Sequence, residues 1–146
     1  MGKEVVPVHH IVGHIFSILL ERKPEELSFP LVILTASGGH NDIYLIEKRE
    51  DAESRQDFGS FEFSGFRITK VGRTLDDAAG ECFDKVSRML GGPYPGGLWI
   101  SQKASLGKPN PLVQFKRIFL AHEKFEFSFS GMKSQVSFLL EHLERD

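Results

Sequence analysis

The chain has 146 residues, of which 18 are Lys or Arg and 20 are Asp or Glu, so its formal net charge is −2 at pH 7. This length suits a single domain, residues 1–146, with a hydrophobic core. The charge balance excludes binding to DNA or RNA through an overall basic surface. The one cysteine, Cys82, excludes an internal disulfide, and no apolar run is long enough to span a bilayer. We therefore expect a cytoplasmic protein with no membrane partner.

The first predicted element is a helix over residues 10–21. Its main apolar face holds, at helical spacing, Ile11, Ile15, Ile18 and Leu19. Further apolar side chains widen this face, so we expect the helix to be buried on most sides. A polar connection broken by Pro24 follows it.

Two short apolar runs on either side of a glycine turn predict a β-hairpin. Residues 30–36 and 43–46 are rich in β-branched side chains, and the turn between them is Ser37-Gly38-Gly39-His40. Glycine lets backbone N–H groups approach an anion closely. The turn is therefore either an anion-binding loop or an ordinary hairpin turn, for which glycine is the default residue.

A third strand is predicted at residues 66–71, where apolar and polar residues alternate. Residues 47–59 before it are dense in charge and lack apolar periodicity, which predicts an exposed loop or the tip of a hairpin. Gly65 is interpreted as an irregularity in the strand. The three runs together predict an antiparallel meander.

The second helix is predicted to begin after Thr74, which can cap it in a capping-box arrangement with Asp77. Asp76 and Asp77 also suit the positive end of a helix dipole. Glu81 and Lys85 form an i,i+4 ion pair on the solvent-exposed face of this helix. The expected apolar stripe consists of Ala78, Ala79, Cys82, Phe83, Val86, Met89 and Leu90. Gly91-Gly92 ends the helix.

The last third of the chain alternates short elements with turns. Residues 96–106 are a candidate short helix, and residues 109–123 have no definite pattern. Residues 125–129 alternate as a strand. Residues 131–144 then show the spacing of an amphipathic helix.

Two histidines are the first candidates for chemistry. His10 and His14 are four apart on a predicted helix, so both imidazoles face the same way, a spacing that suits two ligands of one transition metal. The alternative is a pair of hydrogen-bonded histidines on a buried helix. A zinc protease needs Glu directly after the first histidine as general base, and Ile11 stands there, so zincin-type hydrolysis is disfavoured.

Asp84 is the second candidate. It lies inside a predicted helix and shares a face with Asp77, seven residues before it. Oxygen ligands of this kind suit a hydroxyl-rich ligand or Mg²⁺, whereas a lone helical Asp is more often solvated surface. The turn Tyr94-Pro95-Gly96-Gly97 either closes over a ligand or links two elements.

Four blocks in this order carry a resemblance to a known family: VPVHHIVGH, ILTASGGHNDIYLIE, GRTLDDAAGECFDKVSRMLGGPYPGG and FEFSFSGMKSQV. They resemble the bacterial glycoprotease-like family, the TsaD-type tRNA adenosine threonylcarbamoyltransferases. The resemblance implies a mixed α/β (α+β) fold, a partial lobe of the actin-like ATPase or ribonuclease H-like type. Residues 9–22 would be the bridging metal-ligand helix, 29–90 the strand–hairpin–strand–helix core, and 91–146 an insertion and the C-terminal helix.

The resemblance also implies a reaction and its residues. Family members transfer a threonylcarbamoyl group from its adenylate to the amine of the tRNA adenosine beside the anticodon. An iron or zinc ion would be held by His10 and His14 together with an aspartate from the C-terminal part of the family. The substrate-binding positions fall on Thr35, Ala36, Ser37, Gly38, Gly39, Asp84 and Gly97.

The chain departs from the family pattern in four ways. Residues 47–65 form a longer segment than expected between the second and third strands. Val12 stands where the family has Glu, and Leu98 where it has Pro. The chain also covers only about half of the expected length and lacks the segment with the third metal ligand. We therefore expect a central fragment that is inactive alone.

A second hypothesis is a non-catalytic interaction module. Such a module would pair with a full-length or paralogous actin-like partner, or form a homo- or hetero-oligomer, through the C-terminal helix.

Overall fold

The computed structural model describes residues 2–51, 59–116 and 125–143. Within these ranges it contains five strands and four α-helices. In chain order they are α1 His10–Phe16, β1 Leu31–Ala36, β2 Asn41–Lys48, β3 Ser60–Phe63, β4 Phe66–Thr74, α2 Ala79–Met89, α3 Gly97–Leu106, β5 Phe125–Phe127 and α4 Ser130–Leu143. This is the mixed α/β architecture that the resemblance implies.

All five strands belong to one sheet that is built around β4. Strands β1, β2, β4 and β3 lie side by side in that order, and each neighbouring pair is antiparallel. β3 occupies the first part of the outer edge of β4, and β5 continues that edge in the parallel sense opposite Gly72 to Thr74. Gly72 therefore has Phe125 on one side and Ile43 on the other, with no room for a Cβ: an ideal Cβ would lie 2.5 Å from the Phe125 carbonyl oxygen.

The hydrophobic core lies between α1 and one face of the sheet. Its centre consists of Ile15, Tyr44, Ile46 and Ile68, each at most 2% exposed. Ile46 of β2 lies opposite Ile68 of β4, and successive strand residues alternate between faces, so Tyr44 falls on the same face. This packing fixes α1 beside β1.

The predicted first helix is shorter and more exposed than the sequence indicated. The α-helix ends at Phe16, and Ser17–Leu20 continue as a 3₁₀ helix. The Ser17 Oγ donates to the His14 carbonyl at 2.7 Å, a local bond that competes with the α-helical pattern. Leu20 is 88% exposed, so the prediction of burial on most sides is wrong.

Gly65 closes a hairpin that the sequence analysis missed. Ser64 and Gly65 both have positive φ, 49° and 80°, and β3 and β4 run antiparallel from this turn. Two central residues with positive φ are typical of a two-residue hairpin turn. The irregularity predicted at Gly65 is thus a turn. The prediction of an exposed segment at 47–59 is wrong at its start, because Glu47 and Lys48 end β2 and Glu47 is 7% exposed, and residues 52–58 lie outside the described residues.

The capping-box prediction for the second helix is wrong. Thr74 is the last residue of β4, and α2 begins at Ala79 with Ala78 as its N-cap and no side-chain cap of its own. Two other predictions are confirmed: Lys85 pairs with Glu81 at 2.7 Å, and Gly91, with φ 73°, follows the helix end.

The predicted apolar stripe of α2 is only partly buried. Ala78 and Cys82 are in the core, at 0% and 6% exposed. Phe83, Met89 and Leu90 are between 40% and 47% exposed. Three of the seven stripe residues are therefore exposed to solvent.

The final strand and helix are confirmed close to their predicted bounds. Asp76 was expected at the start of the second helix, but it binds the residues at the start of α4 instead. Its carboxylate accepts hydrogen bonds from the Ser128 and Ser130 hydroxyls, both at 2.6 Å, and from the Phe129 N–H at 3.0 Å. Residues 117–124 of the segment without a definite pattern lie outside the described residues. None of the helices in the described ranges is long and apolar enough to cross a membrane.

Candidate metal and substrate-binding site

The two candidate metal ligands lie side by side on α1. The Nε2 atoms of His10 and His14 are 3.1 Å apart, and the two rings meet edge to face. Two nitrogens that bind one zinc at about 2.0–2.1 Å lie roughly 3 Å apart, so the pair fits a shared metal. The same distance fits an N–H of one imidazole donating to the other. The described residues contain no cluster of three or more His, Cys, Asp or Glu side chains suited to a metal, so a third ligand is absent from these ranges.

A groove of about 580 Å³ between α1 and β1 brings the histidines to the strand end. Residues from α1, the 3₁₀ turn after it and the length of β1 line this groove. The sequence-predicted residues among them are His10, His14, Thr35, Ala36 and Ser37. His40, from the far side of the β1–β2 loop, completes the same wall. The groove therefore joins the histidine pair to the first part of the candidate substrate loop.

Ser37 organises the loop between β1 and β2. Its Oγ accepts the N–H groups of Gly39 and His40 at 3.4 and 3.2 Å, and its own N–H donates to the His40 carbonyl at 3.0 Å. These three amides are thus directed at acceptors inside the loop. In the described ranges no acceptor is bonded to the Gly38 N–H, which leaves it as the donor that the loop can offer to a ligand.

The loop rests directly on the start of α2. An ideal Cβ on Gly80 would lie 2.6 Å from the Gly38 Cα and 3.0 Å from the Ser37 carbonyl oxygen. Only glycine permits so close an approach. Asn41, which follows the loop, binds the same helix: its Oδ1 accepts the Ala79 N–H at 2.7 Å.

Asp84 holds the turn after α2. Its Oδ1 accepts the Gly96 N–H at 2.6 Å, and Ser87, one turn further, donates from Oγ to the Pro93 carbonyl at 2.9 Å. Gly96 is buried against Ser87 and is the N-cap of α3, where Gly97 is the first residue. No described residue donates to Asp84 Oδ2, so one carboxylate oxygen stays available to a ligand.

One face of α2 contacts both the loop between β1 and β2 and the Gly96–Gly97 turn. Gly80 lies against the loop and Asp84 against the later turn, and residues four apart share a helix face. The candidate residues therefore fall into two groups. His10, His14, Thr35, Ala36 and Ser37 line the groove, whereas Gly38, Asp84 and Gly97 lie along α2 or next to it. Gly39 is exposed at the loop tip.

A partly buried charge network joins β2 to β4 close to the loop. Asp42, 3% exposed, accepts from Lys70 Nζ at 2.8 Å and from the Tyr44 hydroxyl at 3.1 Å. Burial lowers the pKa of Lys70, but its hydrogen bond to Asp42 and the nearby Tyr44 outweigh burial and raise it. Burial, together with Asp42, raises the pKa of Tyr44. The network keeps Lys70 charged and Tyr44 neutral, which stabilises the pairing of β2 with β4.

The sequence profile described as TsaD, tRNA N6-adenosine threonylcarbamoyltransferase, matches residues 1–144. The chain belongs to this family. It is 43% identical to the tRNA N6-adenosine threonylcarbamoyltransferase of Geotalea uraniireducens over 93% of this chain and 34% of that protein. The protein of the same name from Staphylococcus haemolyticus is 39% identical over 98% of this chain and 36% of its own length.

A third relative has a similar identity and coverage. The tRNA N6-adenosine threonylcarbamoyltransferase of Pelobacter propionicus is 44% identical over 92% of this chain and 34% of its own length. The chain thus spans about a third of the length of the curated relatives it matches. This is less than the half that the resemblance led us to expect.

Several residues that shape this candidate site were not predicted from the sequence. Asn41 and Ser87 had no periodicity or motif to single them out. Gly80 did carry a signal, because glycine inside a helix costs about 1 kcal/mol relative to Ala and is often retained for close packing. Gly96 sits beside the predicted Gly97, but it is Gly96 that binds Asp84.

Proposed function

We propose that this chain carries the metal-binding pair and the substrate loop of a tRNA threonylcarbamoyltransferase. The transfer would move a threonylcarbamoyl group from its adenylate to the amine of the adenosine beside the tRNA anticodon. The observation that carries the proposal is the groove in which His10 and His14 face Thr35, Ala36 and Ser37. Family membership over residues 1–144 supports it.

The metal proposal rests on the histidine pair. His10 and His14 would hold one iron or zinc ion through their Nε2 atoms, whose 3.1 Å separation fits a shared ion. When bound, such an ion acts as a Lewis acid that polarises a carbonyl oxygen. Because the described residues offer only two ligands, we expect this chain to hold the metal weakly.

The adenylate would be held by the loop and by α2. The Gly38 N–H can donate to an anionic or carbonyl oxygen, and the free oxygen of Asp84 can accept from a sugar hydroxyl. The glycines allow the ligand to approach the backbone at the loop and at the Gly96–Gly97 turn. Thr35 and Ala36, at the end of β1, would form the floor between the loop and the histidines.

A transfer assay tests whether this part of the family protein is sufficient for turnover. Purified chain, unmodified tRNA and threonylcarbamoyl-adenylate are combined with zinc or iron, and modified adenosine is measured by mass spectrometry. We expect no turnover above background, because the described residues offer only two of the three proposed metal ligands and the chain spans about a third of its relatives. Robust turnover would refute the expectation that this chain alone is not sufficient for the transfer.

A non-catalytic interaction module is the second candidate, and one observation favours it. Phe138 and Leu143 of α4 are 62% and 64% exposed. Exposed apolar residues along one helix are typical of an interface. Sedimentation that shows a strictly monomeric chain at all concentrations would count against self-association through α4.

A further inference from the structure

We infer that Asn41 is a positioning residue that fixes the Ser37–Gly39 loop against the first turn of α2. The contacts that support this are independent of the reaction. The consequence for ligand binding rests on the proposed function, because it concerns the same loop. Asn41 touches neither histidine of the proposed metal pair and acts through the loop and the helix.

Asn41 connects three elements through partly buried hydrogen bonds. It is 5% exposed, and it is the first residue of β2, directly after the loop. Its Oδ1 accepts the Ala79 N–H at 2.7 Å. Its backbone N–H donates to Thr74 Oγ1, and Thr74 Oγ1 donates back to its carbonyl, both at 2.8 Å.

The side chain of Asn41 replaces a cap that α2 lacks. The first N–H groups of a helix have no partner inside the helix. The N-cap residue Ala78 has no side-chain oxygen, so the Asn41 amide oxygen, 38 residues away in sequence, supplies the acceptor for Ala79. The helix start and the loop end are therefore joined by one side chain.

Gly80 contributes to the same contact between the loop and α2 because it has no Cβ. The Asn41 bond draws the loop toward α2, and Gly80 leaves the space in which Gly38 lies. Asp84 is one helical turn further, about 6 Å along the axis at 1.5 Å per residue. Movement of the loop away from α2 would change the distance between the Gly38 N–H and the Asp84 carboxylate, the two groups proposed to hold the adenylate.

The test compares variants of the whole chain by ¹⁵N NMR, with adenosine 5′-monophosphate as the probe. Asn41→Leu is similar in size and removes the acceptor, whereas Asn41→Asp keeps an oxygen for the Ala79 N–H. In Asn41→Leu we expect the Gly38, Gly39 and Ala79 amide signals to move before any ligand is added. Asn41→Asp should restore the loop signals.

Ligand binding gives the second readout. A displacement of about 1 Å in a binding group can cost up to roughly a hundredfold in efficiency. We expect the Kd for the nucleotide to rise about tenfold or more in Asn41→Leu and to recover in Asn41→Asp. Gly80→Ala leaves Asn41 intact and should shift the same loop amide signals. It replaces Asn41→Leu as the test if that variant does not fold. Gly13→Ala is the matched control, because an ideal Cβ at Gly13 meets nothing within 4 Å.

The two proposals fail in different ways. If the loop amide signals of the wild-type chain do not shift when nucleotide is added, the proposed adenylate site is contradicted. The ligand-free spectra of the variants still test the role of Asn41 in that case. Asn41→Leu with wild-type Gly38 and Gly39 signals would overturn the positioning role. A Gly80→Ala variant with unmoved loop signals would overturn it equally.

Discussion

At the scale of single residues, Asp84 shows how a candidate ligand also serves the fold. Its Oδ1 accepts the Gly96 N–H at 2.6 Å and so ties the later glycine turn to α2. An N–H group that loses its acceptor in a partly buried site costs about 1–3 kcal/mol. We expect Asp84→Ala to lower the free energy of unfolding by about that amount and Asp84→Asn, which keeps an acceptor, to lower it less. Urea denaturation measures both.

The control for Asp84 lies on the same helix. Glu81 pairs with Lys85 on the surface, an interaction worth about 0.2–0.5 kcal/mol. Glu81→Ala should therefore change the free energy of unfolding only slightly. Equal losses in Asp84→Ala and Glu81→Ala would contradict the structural role of the Gly96 hydrogen bond.

Two helical glycines offer a matched pair of substitutions. Alanine in place of glycine inside a helix stabilises by up to about 1 kcal/mol where space permits. Gly13 has open space, so Gly13→Ala should raise the free energy of unfolding. Gly80→Ala should lower it, because its Cβ would lie 2.6 Å from the backbone of Gly38. Thermal denaturation of both variants checks the opposite signs, and stabilisation by Gly80→Ala would show that the loop does not rest on α2.

Residue-level reasoning from the sequence succeeded where local geometry is sufficient. The proximity of His10 and His14 follows from four-residue spacing on any helix, and the structure gives 3.1 Å between their Nε2 atoms. The roles of these residues as ligands stay predictions. Asn41 could not be found in this way, because its partner Ala79 is distant in sequence and meets it only through the packing of β2 and β4.

At the scale of elements, Asp76 fastens α4 to the segment before α2. Serine hydroxyls and backbone N–H groups around it, bonded to its charged form, outweigh the effect of partial burial and lower its pKa to about 2. The ordinary value is 3.8, so the folded chain holds this proton less tightly than the unfolded chain. The stabilisation is present above about pH 4 and is lost as the pH falls toward 2.

Asp76→Asn tests this attachment. The substitution keeps one acceptor and removes the charge, so the variant should be less stable at neutral pH by about 1 kcal/mol, the usual size of a helix-capping effect. Between pH 4 and pH 2 its stability should fall less steeply than that of the wild type. Urea denaturation over this range is the measurement, and parallel pH curves would contradict the role of Asp76.

The elements themselves were predictable where periodicity was strong. Strands β1 and β2 follow from two apolar runs on either side of a glycine turn, β4 from alternation, and helices α2 and α4 from helical spacing. β3 was missed because its four residues are too short for a pattern, and the Ser64–Gly65 turn was interpreted as an irregularity within one strand. The cap of α2 was assigned to Thr74 on local spacing, but Thr74 bonds Asn41 across the sheet instead.

At the scale of the whole molecule, the chain holds one part of a larger family architecture. It spans about a third of its curated relatives, and within the described ranges several apolar side chains of β1 and α4 face outward, among them Val32, Leu34 and Phe138. The order of the four sequence blocks, rather than any single motif, predicted the family to which the chain belongs. Composition and periodicity alone indicated no more than a mixed α/β domain.

Metal binding by the histidine pair tests the central claim most directly. The chain is titrated with Co²⁺, and binding is followed by calorimetry and by visible absorbance for wild type, His14→Ala and the control His142→Ala on α4. Loss of even an outer-shell partner weakens metal binding about 10–100-fold, so His14→Ala should weaken it by at least tenfold. We predict one weak site per chain that His142→Ala leaves intact. Equal Co²⁺ affinity in wild type and His14→Ala would contradict the account.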